Sequence, residues 1–140
     1  MAFAGISYLA IIVAAVASYT FGAAWYMALA KPWMAALGKT EADIKGPDGK
    51  GSAAPFIIAF LAQLVMAYVL GGLIGHLGAG QLTPWNGLVS AFFVWIGFVM
   101  TTLLTNHGFQ GSKRMLTVID GLHWLGVLLI QGLVIGLFGV

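Results

Sequence analysis

The chain has 140 residues, of which 61% are hydrophobic and only 7% charged, with a formal net charge of +2. Soluble domains carry roughly 25% charged residues, so this composition excludes a water-solvated surface and calls for lipid as the solvent. The small positive charge excludes the basic footprint of a nucleic-acid binder, and the lack of cysteine excludes disulfides, iron–sulfur clusters and thiolate zinc sites.

The length suits a single domain, residues 1–140. A bilayer-spanning helix needs about 20 consecutive apolar residues, and only helices or closed barrels satisfy their backbone groups in lipid. The apolar runs do not alternate with polar residues, which disfavours a barrel. The first span is expected over residues 4–30, where no residue is charged. "AVAS" at Ala15–Ser18 resembles a small-residue cleavage site, but no basic residue precedes the run. The segment is therefore read as a retained span rather than a signal peptide.

A loop over 31–53, "KPWMAALGKTEADIKGPDGKGSA", follows. Lys31 and Pro32 end the first span, and Trp33 is placed as an interface anchor. "PWMAAL" suits one or two turns of interfacial helix before Gly38. "TEAD" from Thr40 resembles a capping box with Asp in place of Glu or Gln. No nucleophile or ligand cluster marks this loop, which reads as a solvated connector. The second span is expected over 54–76, with Ser52 and Pro55 suited to its start. "GHLGAGQLTP" is a tight turn. The third span is expected over 84–105, and "NHGFQGSKR" separates it from the fourth, with Ser112 as N-cap. The fourth span, 115–139, contains one acid, Asp120. The expected fold is all-α, an integral membrane four-helix bundle.

All six basic residues fall in the first and third loops, which share a side in a four-span chain. The positive-inside rule makes that side cytoplasmic and puts both termini outside. "SKR" at Ser112–Arg114 reads as a topogenic or lipid-headgroup contact. The membrane expected is the bacterial inner (plasma) membrane.

Lipid tails are as apolar as leucine, so helices associate through close approach and hydrogen bonds. Small residues at four-residue spacing permit that approach. The first span has Ala10, Ala14, Ser18 and Gly22 in one row, the second Ala67, Gly71 and Gly75, and the third Gly97, Thr101 and Thr105. The fourth has the GxxxG pair Gly132 and Gly136. Such rows build either a tight bundle or a dimerisation face.

Asp120 and His123 are three positions apart, on neighbouring parts of one helix face. Intramembrane acids turn toward the bundle or a water cavity. The helix N-terminus, Lys113, Arg114 and a hydrogen bond from His123 are each expected to moderate the charge of Asp120. A buried polar cluster is expected around Asp120, His123, Gln63 and Thr101. It reads either as a structural knot fixing helix register or as a proton or ligand site. No metal site is expected, since only one acid lies within a span and the histidines lie at unmatched depths. No cofactor is implied. Trp25, Tyr26 and Trp33 are placed at the inner interface, Trp85 at the outer, and Trp95 and Trp124 in packing roles.

"WY" at Trp25–Tyr26, "KPWM" at Lys31–Met34, "MAYVL" at Met66–Leu70, "WIGF" at Trp95–Phe98 and the acid–x–x–His pair at Asp120–His123 occur together over nearly the whole chain. In these motifs the sequence resembles a family of small four-span membrane proteins catalogued only as a domain of unknown function. The resemblance implies the four-helix membrane fold and supplies no activity, substrate or cofactor. It also groups Trp25, Tyr26, Trp33, Trp95, Asp120 and His123 as one constellation.

The leading functional expectation is a non-enzymatic membrane protein whose partners are the lipid bilayer and either further copies of itself or a larger membrane complex. The alternative is a small proton- or cation-coupled transporter in which Asp120 binds the ion and His123 tunes its affinity.

Overall fold

The computed structural model describes residues 5–139, and those residues form seven α-helices with one π-helical insert. α1 (Tyr8–Ala28) opens with the Ser7 hydroxyl accepting from the Ala10 amide at 3.2 Å. The expected first span began at residue 4, which lies outside the described residues. α2 (Ala30–Leu37) continues almost directly from α1, with only Leu29 between them. Pro32 explains the break: it has no N–H for the Ala28 carbonyl four residues back, and its ring crowds that carbonyl. α2 ends at Gly38, whose φ of 68° is left-handed and suits glycine. α3 (Glu41–Lys45) is a single short helix opened by the Thr40–Asp43 capping box.

Four helical segments are long and apolar enough to cross a membrane: α1, α4 (Ala54–Gly75), the stretch Pro84–Gln110, and α7 (Arg114–Phe138). The third span joins α5 (Pro84–Val94), a π segment (Trp95–Met100) and α6 (Thr101–Gln110) without interruption. It runs five residues past the expected end at 105, so His107 lies within a helix rather than in the third loop. α7 starts after Lys113, and no side chain caps it, so Ser112 does not act as its N-cap.

α7 is the hub. It packs against α1, α2, α4, α5, the π segment and α6, while α4 also packs on α1 and, more lightly, on α5. The apolar core joins Ile11 and Ala14 of α1, Leu70 and Ile74 of α4, Ala91 of α5, and Leu128 and Ile135 of α7. Outside that core, large apolar side chains face outward on every span, among them Phe56, Ile58, Phe93, Phe98 and Leu137. In water such a surface would aggregate. In lipid it is the expected exterior, and the chain is a four-helix membrane bundle.

Glycine sets the closest contacts. A methyl on Gly132 would meet the Gly87 carbonyl, one on Gly87 would meet the Gly132 carbonyl, and one on Gly136 would meet the Thr83 carbonyl. The GxxxG pair of α7 is therefore used within the chain, against α5. Ala14, Ser18 and Gly22 are buried on α1, and Gly71 of α4 lies under Ile11, while Gly75 is only half-buried. The third span is the least enclosed. Among the described residues, none from Trp95 to Gln110 is buried, and Gly97 has no neighbouring atom within 4 Å of an added Cβ.

Candidate functional site

Three consecutive residues of α7 receive hydrogen bonds from three aromatic side chains. Trp25 Nε1 donates to the Ile119 carbonyl at 3.1 Å, Tyr26 Oη donates to Asp120 Oδ1 at 2.7 Å, and Trp95 Nε1 donates to the Gly121 carbonyl at 2.8 Å. Ile119 and Gly121 lie inside a helix, so each carbonyl also serves an amide four residues on. Its second lone pair takes the indole. Trp25 and Tyr26 come from α1 and Trp95 from the third span, so these bonds tie two helices to the hub at one level.

The π segment makes this possible. Trp95 and Met100 are five residues apart, which on an α-helix at about 100° per residue separates them by about 140° around the axis. Bonding from i to i+5 brings residues five apart onto one face. Both side chains consequently reach Gly121, where an added Cβ would stand 2.5 Å from Met100 Sδ. The extra residue in the turn also rotates everything after it by about 100° relative to an unbroken α-helix.

That rotation corrects one expected site residue. Thr101 is exposed and its hydroxyl donates to the Gly97 carbonyl of its own helix at 2.9 Å. Thr105 does the same toward Thr101. The row Gly97–Thr101–Thr105 faces outward and takes no part in the polar cluster. Gln63 is also not beside Asp120. It belongs to a second knot deeper in the bundle, where Ser18 Oγ donates to Gln63 Oε1 at 2.8 Å. There Gln131 Nε2 donates to Ser18 Oγ at 3.1 Å and to the Gln63 carbonyl at 3.0 Å. All three residues are buried, and Gln131 Oε1 has no partner. Gln131 lies on the same face of α7 as Asp120, but eleven residues, or roughly 16.5 Å at 1.5 Å each, separate the two. The single cluster of the sequence reading is thus two.

His123 is buried and boxed by aromatic rings. Tyr26 lies at 4.7 Å between centroids, Trp124 at 4.6 Å and Phe21 at 6.3 Å in a stacked orientation. Its Nδ1 is buried without a hydrogen-bonding partner. No hydrogen bond joins it to Asp120, so the expected Asp–His bond is replaced by one from Tyr26, whose ring also touches His123. Trp33 of α2 supports Tyr26 from behind, with ring centroids 5.5 Å apart. Lys113 does not turn to Asp120 either: its ammonium donates to the Ala35 carbonyl of α2 at 3.1 Å. His107 Nδ1 pairs with the Thr117 hydroxyl at 2.8 Å, a link between α6 and α7 that the sequence reading did not anticipate.

Of the residues singled out from sequence, Trp25, Tyr26, Trp33, Trp95, Asp120 and His123 meet at one place on α7, while Gln63 and Thr101 lie elsewhere. Chemically the place offers a carboxylate held by a phenol and an imidazole with an unused nitrogen. Among the described residues, no three His, Asp or Glu side chains gather at one point. A cavity of about 310 Å³ opens at the end of the bundle where α2 and the α6–α7 turn meet, and neither Asp120 nor His123 lines it.

A family model described as protein of unknown function (DUF1761) matches residues 9–136. No curated protein and no solved structure matches the chain.

Proposed function

The chain belongs to the DUF1761 family of proteins of unknown function, and on that premise we propose that it is a non-enzymatic helical-bundle protein of the bacterial inner membrane. It acts as a scaffold that assembles with further copies of itself or within a larger membrane complex. Its basic loops face the cytoplasm and both termini face outward, following the distribution of Lys and Arg. The observation that carries this reading is the use made of Asp120. Its Oδ1 accepts from Tyr26, and the carbonyls on either side accept from Trp25 and Trp95. Those polar groups hold helices together, which is the structural role buried hydrogen bonds serve in membranes. With Gly132 and Gly136 engaged inside the chain, the outward row Gly97–Thr101–Thr105 is a small-residue surface left open for lateral assembly.

Reconstitution of the wild type and Asp120→Asn into liposomes tests the scaffold role. The scaffold reading expects the variant to melt at lower temperature in detergent, and proton and cation flux to match that of empty liposomes in both cases. Wild-type flux that disappears in Asp120→Asn, with unchanged melting, would overturn it. Lateral assembly is tested by the protein mass of the particle in mild detergent, with bound detergent subtracted, which is expected to exceed the 14.7 kDa of one chain and to fall in Gly97→Leu.

A second reading, a small proton- or cation-coupled carrier, is favoured by the buried and unpartnered Nδ1 of His123 beside a half-buried acid. The same flux measurement decides between the two.

A further inference from the structure

At the basic end of the bundle, the cleft of about 310 Å³ separates the C-terminal end of α2 from the α6–α7 turn. Leu37 and Gly38 form one wall, Gln110, Ser112 and Lys113 the other, and buried Leu116 also lines it. Its polar side chains can each donate. Lys113 gives one of its three N–H groups to Ala35, which leaves two. The side chains of Gln110 and Ser112 bond to nothing within the described residues, and both can donate. No acid lines the cleft. Arg114 follows Lys113 directly in sequence, and Lys39 follows Gly38.

The residues that flank the lining in sequence differ in chemistry. Phe109 is 93% exposed and Met115 53% exposed, one on each side of the turn that forms the wall. A free anion gains nothing from exposed apolar side chains, whereas an amphiphile meets the donors with its head and these side chains with its tails. The cleft also sits where α6 ends and α7 begins, at the boundary between spanning helices and loops. Basic residues at that level attract anionic lipid.

We propose that this cleft seats the phosphate of an anionic phospholipid, with Lys113 as its ion-pair partner, Ser112 and Gln110 as hydrogen-bond donors, and Phe109 and Met115 against the acyl chains. The wall that binds the headgroup also carries the Lys113–Ala35 link between α2 and α7, so an occupied cleft braces α2 and, through Trp33, the back of Tyr26.

Native mass spectrometry of the full chain in detergent tests this, with phosphatidylglycerol, phosphatidylcholine or glycerol 3-phosphate added. Phosphatidylglycerol is expected to be retained over phosphatidylcholine. Lys113→Gln is expected to reduce that retention about fivefold, the factor corresponding to one lysine's contact with an anionic leaflet, while Lys50→Gln in the loop leaves it unchanged. Ser112→Asp puts a negative charge in the cleft and keeps both partners of the Lys113–Ala35 bond. It is expected to reduce retention as well, and it decides the matter if Lys113→Gln fails to fold. Equal retention of the two lipids, or wild-type retention in Ser112→Asp, would overturn the proposal. Glycerol 3-phosphate binding as well as the lipid would also overturn it, by showing a site for a soluble phosphate.

Discussion

Gly22 of α1 lies against the imidazole of His123 on α7, so that a methyl group on Gly22 would stand 2.7 Å from Nε2. One turn away the relationship is reversed. Phe21 of α1 fills the space over Gly126 of α7, and an added Cβ there would run into the ring. Each helix offers one ring and one bare glycine to the other, which locks both their spacing and their register. Gly22→Ala and Gly126→Ala are each expected to lower stability by about 1–3 kcal/mol, the usual effect of overpacking. Thermal unfolding in detergent reads this directly. Phe21→Leu should recover part of the loss in Gly126→Ala and none of it in Gly22→Ala. Wild-type melting in Gly22→Ala would show that the imidazole is free to move aside.

Not every glycine should behave this way. Gly87 and Gly132 face each other's backbone carbonyls, which cannot rotate out of the way. Alanine at either should force α5 and α7 apart and cost about 3 kcal/mol, at the upper end for overpacking. Gly97, in the π segment, has open space around it. Gly97→Ala should be neutral or stabilise by up to about 1 kcal/mol, because alanine is the better helix former. Reversal of that order would mean that α5 does not pack on α7 through these glycines.

The three bonds that α7 accepts are also separable. Trp25→Phe and Trp95→Phe each remove one hydrogen bond to a carbonyl that keeps its helical partner, so about 0.6 kcal/mol is expected for each, typical of such bonds in membranes. Tyr26→Phe leaves Asp120 without its donor, and a deprived charged group costs more, about 1–3 kcal/mol. Asp120 is half-buried, which favours the lower part of that range. A double-mutant cycle of Tyr26→Phe with Asp120→Asn measures the coupling. Independent, additive losses would rule out the hydrogen bond as the reason for the tyrosine.

How much of this was legible in the sequence differs by level. Three spans follow from charge-free runs and the fourth from an apolar run with a single acid, and the caps at Thr40 and Gly38 follow from local chemistry. The meeting of Trp25, Tyr26, Trp95, Asp120 and His123 was anticipated only as a grouping, because which helices touch depends on contacts that no local pattern states. Thr101 shows the limit most clearly. Depth alone groups it with Asp120, and one extra residue in the Trp95–Met100 turn rotates it outward. Nothing in "WIGFVM" announces i to i+5 bonding. What selects it is Gly121 on a different helix, which leaves room for Met100 and presents its carbonyl to Trp95. Gln63 finds different partners for a similar reason. Its depth matched Asp120 only roughly, and the pairing with Ser18 and Gln131 depends on how α1, α4 and α7 are rotated about their axes.

The short helix α3 should be the acid-sensitive part of the molecule. The Asp43 carboxyl is held below its ordinary value by the backbone N–H and then the hydroxyl of Thr40, and the Glu41 carboxyl by its hydrogen bond and then its charge interaction with Lys45. Both carboxylates are therefore easier to ionise in the helix than in the unfolded loop. Their contribution is complete above the unfolded values near about 4 and is lost as pH falls through the lower folded values. Amide exchange at Ile44, which bonds back to Thr40, and at Gly46, which bonds to Ala42, should accelerate as the pH drops below about 4, after correction for intrinsic rates. Thr40→Ala should show faster exchange already at neutral pH, because the hydroxyl half of the capping box is gone. If protection of these amides is the same at acid and neutral pH, the capping box does not hold α3 in place.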